Sequence, residues 1–281
     1  MSCIMKQAYN TATRATDDSA VIRNILNVTA DYIKQVNLEE TPADLSNFVY
    51  KTTAEITGIA DPYEREKKQY NDLCLSMVPA LKKTIDESDD PLYSAIKVAL
   101  FGNLIDLGIG HKIDIQEKVK TLFKESLAID DYPELKSMLV SGRKKILYLG
   151  DNAGEIVFDK LFVEKLVDHH TVTYVVKRGP IINDATMDDA RATGMTELTS
   201  VIDTGSDKIG VKWDEVSEEF LDHYNSADIV IAKGQGNFET NSDRPGTIFF
   251  LLRAKCDCVA RVLGVDYGDI VIKRGPITED T

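Results

Sequence analysis

The stretch KKILYLGDNAGEIVFDK, residues 144–160, decides how the chain is read. Its short apolar run ends in Gly-Asp-Asn-Ala-Gly-Glu, and a helical pattern follows at once. A strand feeding a helix through a polar turn is half of a strand–helix–strand unit. The same grammar recurs downstream in TVTYVVKR (171–178), LTSVIDTG (198–205), DIVIAKG (228–234) and IFFLLRAK (248–255). Each segment is short, rich in β-branched or large apolar residues, and bounded by Gly, Asp or Asn. Helical patterns such as WDEVSEEFLDHYNSA lie between several of them, which implies an α/β fold with a mostly parallel sheet and helices on both faces.

Upstream the periodicity is different. AVIRNILNVTADYIKQV, LSNFVYKTTAEIT, YEREKKQYNDLCLSMVPALKKTIDE and PLYSAIKVALFGNLIDLGI repeat apolar residues at three- and four-residue steps. Thr41-Pro42, Asp61-Pro62 and Asp90-Pro91 mark helix starts. The division expected is an all-helical domain over residues 1–140 and an α/β domain over residues 141–281.

The 281 residues carry a formal charge of −13 and 43% hydrophobic side chains. That acidity argues against non-specific nucleic-acid binding, which needs basic surface. A phosphate-ester substrate would need a local positive counterweight, such as a divalent metal. No apolar run reaches the ~18–20 residues of a membrane span, and the polar N-terminus lacks a signal-peptide core. A cytoplasmic protein with no membrane partner is expected. Cys3, Cys74, Cys256 and Cys258 read as reduced thiols, and the histidines show no metal-ligand spacing. Oxygen ligands, and so Mg, Mn or a similar ion, are favoured over structural zinc.

In such folds ligands gather beyond the carboxyl ends of the strands. Those ends read GDNAGE, KRGPIIND, DTGSD, KGQGNFE and AKCD. Asp151 and Asn152 offer three side-chain oxygens between them, or else one of them caps the next helix. Asp184 lies a few residues past its strand, and the intervening loop can return it toward Asp151. Its alternative is again a helix cap, with Asp188 and Asp189 as solvated acids behind it. Lys177 and Arg178 stand nearby as phosphate partners. In KGQGNFE the glycines, Gly236 among them, can cradle a phosphate, with Lys233 neutralising it and Asn237 hydrogen-bonding it. Lys255 ends an apolar strand on the same surface. Asn103 and Asp106, three residues apart on one helix face, are either a buried hydrogen-bond pair or a polar face toward the cleft, and the cleft is the preferred reading.

GDNAGE, KRGPIINDAT, KGQGNFE, LLRAKCDCVARVLGV and FGNLIDLG, with ADPYEREKKQYND, together resemble the metal-dependent damage-control phosphatase family, first catalogued as domain of unknown function 89. The likeness is to its small stand-alone archaeal and bacterial members. The resemblance implies a Rossmann-like α/β/α sandwich beside a helical domain. It implies a divalent metal (Mn, Co, Ni or Mg) on Asp151, Asn152 and Asp184. It maps substrate contacts to Glu155, to the loop from Gln235 to Glu239, and to Lys255. Eukaryotic-pattern relatives carry an Arg where this chain has Glu239. The expected function is hydrolysis of phosphate monoesters of small metabolites, with Asp151, Asn152, Asp184 and Lys255 as catalytic residues. The rival readings are a non-catalytic protein binding a phosphometabolite or nucleotide, and an S-adenosylmethionine-dependent methyltransferase.

Overall fold

The computed structural model describes residues 2–36, 42–102 and 125–275. Its sheet has seven strands in the order β1-β7-β6-β5-β2-β3-β4. They are β1 Ile129–Asp130, β2 Lys145–Leu149, β3 Thr171–Val176, β4 Ser200–Asp203, β5 Ile229–Lys233, β6 Ile248–Arg253 and β7 Ile270–Gly275. Neighbours are parallel except β6 and β7, which run antiparallel. The mostly parallel α/β fold expected from the sequence is the observed one, and all the strands read there are present. Two more join them. β7 pairs with β6, and the two-residue β1 comes from a stretch with no strand alternation.

Side chains alternate across a pleated strand, and here the alternation separates two cores. Ile146, Tyr148, Val172, Tyr174, Ile229, Ile231 and Phe249 join one cluster. Leu147, Leu149, Val175, Val230, Ala232 and Phe250 join the other. Burial on both faces is why these strands read as continuous apolar runs. The first face carries the helices Tyr132–Val140 and Glu155–Val167, with α4 (Glu64–Asp86) and α5 (Pro91–Phe101) packed beyond. The helix Glu155–Val167 is therefore buried on nearly all sides. The second face is covered by the helices Glu218–Ser226, Gly234–Asn241 and Asp257–Leu263. Helices α1 (Ser2–Ala15), α2 (Ser19–Ile33) and α3 (Pro42–Thr57) enclose a smaller cluster of Ile4, Ala8, Leu45 and Val49.

Local chemistry places the helix starts. The Asp90 carboxylate accepts the Tyr93 N–H at 3.1 Å and caps α5. At Asp61-Pro62 the Asp61 carboxylate accepts the Tyr63 N–H, so α4 begins only at Glu64. Among the described residues no helix is long and apolar enough to cross a membrane.

Candidate active site

The chain runs from β2 outward to β3 and β4, then returns to β5 on the other side of β2. That reversal opens a crevice at the carboxyl ends of β2 and β5, where open α/β sheets bind ligands. Asp151 leaves β2 there, and Gly234 leaves β5. β5 passes straight into the helix Gly234–Asn241, so KGQGNFE is a helix start, where the sequence was read as a glycine loop. Gly234 has φ +78°, and a Cβ on it would overlap the Asp151 carboxylate. Only glycine lets that carboxylate lie against the helix start. Asn237 locks the two strand ends together, donating from Nδ2 to the Gly150 carbonyl (2.9 Å) and the Lys233 carbonyl (2.8 Å).

The bonds at the helix starts show which residues cap them. The helix Glu155–Val167 starts at Gly154 without a side-chain cap. The Gly154 N–H instead donates to Asn71 Oδ1 of α4 at 2.7 Å. The helix Met187–Ala192 starts at Thr186, whose capping-box partner is Asp189. Asp151, Asn152 and Asp184 cap neither helix. The loop after β3 folds back so that the Ala185 N–H donates to the Asp151 carbonyl and the Ala153 N–H to the Asn183 carbonyl, both at 2.8 Å. This bridges Asn152 and Asp184 backbone to backbone. Ile182, two residues before Asp184, is held at φ +45°, the one non-glycine residue with positive φ among those described. Such strain in a β-branched residue persists only where surrounding contacts over-determine it.

Three acids share this space. Asn152 Nδ2 donates to Asp151 Oδ2 at 3.0 Å and to Glu155 Oε1 at 2.8 Å. Burial pushes Asp151 well above the usual carboxylate range, the Glu155 and Asp184 charges push further, and Lys255 and Lys233 oppose the rise. Burial also lifts Asp184 to about 6; the Lys177 ammonium, 3.8 Å away, opposes this and Glu155 adds to it. The acids are thus short of positive charge. Asp151 and Asp184 offer carboxylate oxygens, and Asn152, its nitrogen already committed, offers its amide oxygen. Such donors suit a hard divalent cation. Among the described residues no three His, Cys, Asp or Glu side chains form a ready cage; here an amide would supply one of the three donors.

The other expected residues are placed as follows. Lys233 is fully buried, with Nζ 3.2 Å from Glu155 Oε2 and 2.8 Å from Asp159 Oδ1. It therefore meets carboxylates rather than the open crevice. Lys255 is exposed beyond β6, and its backbone N–H donates to Gln235 Oε1 at 3.1 Å. Gln235 Nε2 donates to Glu239 Oε1 (2.7 Å) and Cys256 Sγ (3.3 Å), and Gly236 lies against Ile209. Lys177 is buried and donates to the Gly210 carbonyl, while Arg178 lies outside over Gly205. Asn103 and Asp106 lie outside the described residues.

Asp189 corrects the sequence reading. Asp188 is solvated, but Asp189 is buried against Asn71 Nδ2 (2.8 Å), Thr186 and Lys67. Lys67 also pairs with Asp61 at 2.8 Å. Asn71 and Lys67 thus brace the return loop and the Gly154 turn from α4. Sequence reasoning assigned neither a role, because polar residues on a helix read as its wet face. Their only signal was the ADPYEREKKQYND segment.

Fold and crevice define a class: an α/β protein whose candidate site, at the topological switch point, gathers carboxylates and an amide near an exposed lysine. A family model described as the damage-control phosphatase ARMT1-like domain matches residues 1–271. A damage-control phosphatase of Pyrococcus horikoshii is 36% identical over 279 residues, covering 98% of this chain and 96% of the relative. A damage-control phosphatase of Archaeoglobus fulgidus is 35% identical over 283 residues, covering 97% and 96%. The crystal structure of a domain-of-unknown-function-89 protein from P. horikoshii matches with a TM-score of 0.90 at 35% identity, over 97% of this chain and 96% of that one. The chain belongs to the damage-control phosphatase family, and its activity is that of a phosphatase.

Proposed function

We propose that this phosphatase hydrolyses phosphate monoesters of small metabolites, sugar phosphates or damaged phosphometabolites, using a divalent cation (Mn, Co, Ni or Mg) held by Asp151, Asn152 and Asp184. One observation carries the reading: the return loop pairs Asp184 with Asn152 beside Asp151, and none of the three serves as a helix cap. When bound, the cation supplies Lewis-acid polarisation and charge neutralisation at a phosphoryl group. Asp151 and Asp184 bring the negative charge that holds it. Glu155 accepts from the Asn152 nitrogen, leaving the amide oxygen available to the cation. Lys255, at the exposed rim and close enough to bear on Asp151, stabilises charge on the phosphoryl oxygens. Gln235 holds the Lys255 backbone in place.

In the same reading a helical unit accompanies a Rossmann-like unit that borrows β1 from it. A cytoplasmic setting is supported by the free thiols of Cys74, Cys256 and Cys258. The test is phosphate release from an aryl phosphate with Mn, Co, Ni or Mg. Asp151→Ala should lose two or more orders of magnitude, on the order expected for removing a charge-stabilising group. Full metal-dependent turnover in that variant would sink the assignment.

A further inference from the structure

Asp159 lies one turn after Glu155 on the helix Glu155–Val167 and is wholly buried. Three strands converge on its carboxylate. The Tyr148 hydroxyl, from β2, donates to Oδ1 at 2.8 Å, and the Tyr174 hydroxyl, from β3, donates to Oδ2 at 2.8 Å. These tyrosines are register partners with stacked rings 5.2 Å apart. Burial beside Asp159 raises both phenols well above their ordinary range, so both remain donors. Lys233 Nζ, from the end of β5, donates to Oδ1 at 2.8 Å.

The chain of contacts does not stop there. Lys233 also reaches Glu155 Oε2 at 3.2 Å, and Glu155 Oε1 accepts from Asn152 Nδ2 at 2.8 Å. One ammonium is thus shared between two acids on one helix face. A buried charge set of this kind is stable only when every member keeps its partners. At the far end, the Asn152 nitrogen sits between Asp151 Oδ2 and Glu155 Oε1. Turning the amide over would set its oxygen against two carboxylate oxygens.

We propose that Asp159 is a positioning residue for the cation site: through Lys233 it sets Glu155, and through Glu155 it sets which end of the Asn152 amide faces the crevice. The proposal rests on the reading that Asn152 is a cation ligand. Groups that orient metal ligands from behind typically govern affinity by about 10- to 100-fold.

The experiment is Mn(II) binding to the metal-free protein, followed by the electron paramagnetic resonance signal of free Mn(II), with circular dichroism and Tm confirming the fold. Asp159→Asn and Glu155→Gln should each weaken binding by about 10- to 100-fold. Their double variant should be little weaker than the worse single one, because both losses act through one route. Tyr148→Phe and Tyr174→Phe keep the stacked rings and should weaken binding several-fold. They carry the test if Asp159→Asn does not fold. Tyr93→Phe removes a tyrosine–aspartate bond elsewhere, to Asp130, and should leave Mn(II) affinity unchanged. Wild-type affinity in folded Asp159→Asn, multiplicative losses in the double variant, or an equal loss in Tyr93→Phe would overturn the proposal. Asp151→Ala separates the two claims. If it retains Mn(II) binding, the cation site itself is misassigned. If it loses binding while Asp159→Asn does not, only the positioning role fails.

Discussion

Replacing Gly234 with alanine tests the crevice with one methyl group. Gly234 sits at φ +78° where β5 meets its helix, and an added Cβ would overlap the Asp151 carboxylate. Two costs arise. A left-handed backbone costs an L-residue about 1–2 kcal/mol. Displacing a packed neighbour costs about 1–3 kcal/mol more. Gly264 separates them, with φ +69° and nothing within 4 Å of an added Cβ. Gly264→Ala therefore carries the backbone cost alone, whereas Gly234→Ala carries both, roughly 2–5 kcal/mol. At about 2–4 °C per kcal/mol, thermal unfolding should show a visibly larger fall for Gly234→Ala. The functional gap should be wider. Asp151 must move to make room, and a displacement of about 1 Å at a reacting centre can cost on the order of 100-fold in rate. Gly264→Ala should keep wild-type phosphatase activity. Equal Tm shifts in the two variants, with activity intact in both, would refute the argument that Asp151 occupies the space above Gly234.

Asp184, at about 6 without a cation, binds its proton more tightly in the folded chain than an unfolded aspartate does. Its favourable contribution is fully present below about pH 4 and is lost as pH rises through 6, roughly 3 kcal/mol in all. The stability difference between metal-free wild type and Asp184→Asn, from urea titrations at pH 4 and 7, should shift by about that amount toward the variant at pH 7. Chelation should lower Tm at neutral pH. Added Mn(II) at 100 times its dissociation constant should restore about 2.7 kcal/mol, and Asp151→Ala should not respond. Asp189→Ala removes a capping partner and a buried counter-charge, so denaturant unfolding should show a loss of about 3–5 kcal/mol. Asp188→Ala, whose side chain is 92% exposed, should stay within about 0.5 kcal/mol of wild type.

Much of the fold was legible because its signals are local. β2, β3, β5 and β6 are buried on both faces, so their apolar runs stand out from the helical periodicity around them. β1 is too short to carry a pattern. β7 follows the helix Asp257–Leu263 but runs antiparallel to β6, a pairing that parallel strand–helix alternation does not foresee. KGQGNFE read as a loop because glycines weaken helix propensity. Packing decides otherwise, since only a residue without Cβ fits beneath Asp151 at Gly234, and Gly236 lies close against Ile209 and Gly210.

The sequence by itself determined the composition of the site: acids, an amide and lysines at successive strand ends, on an α/β sheet of an acidic protein. Local sequence did not decide which of them cap helices, because an aspartate before a helix looks the same in either role. Tertiary contacts decided it: Asn71 of α4 takes the Gly154 N–H, Asp189 takes the capping duty at Thr186, and Asp151, Asn152 and Asp184 are left to face one another. They also sent Lys233 inward. A lysine at a strand end reads as reaching for solvent, but its partners Glu155 and Asp159 lie 78 and 74 residues away. Only the folded sheet brings those charges to within hydrogen-bonding distance.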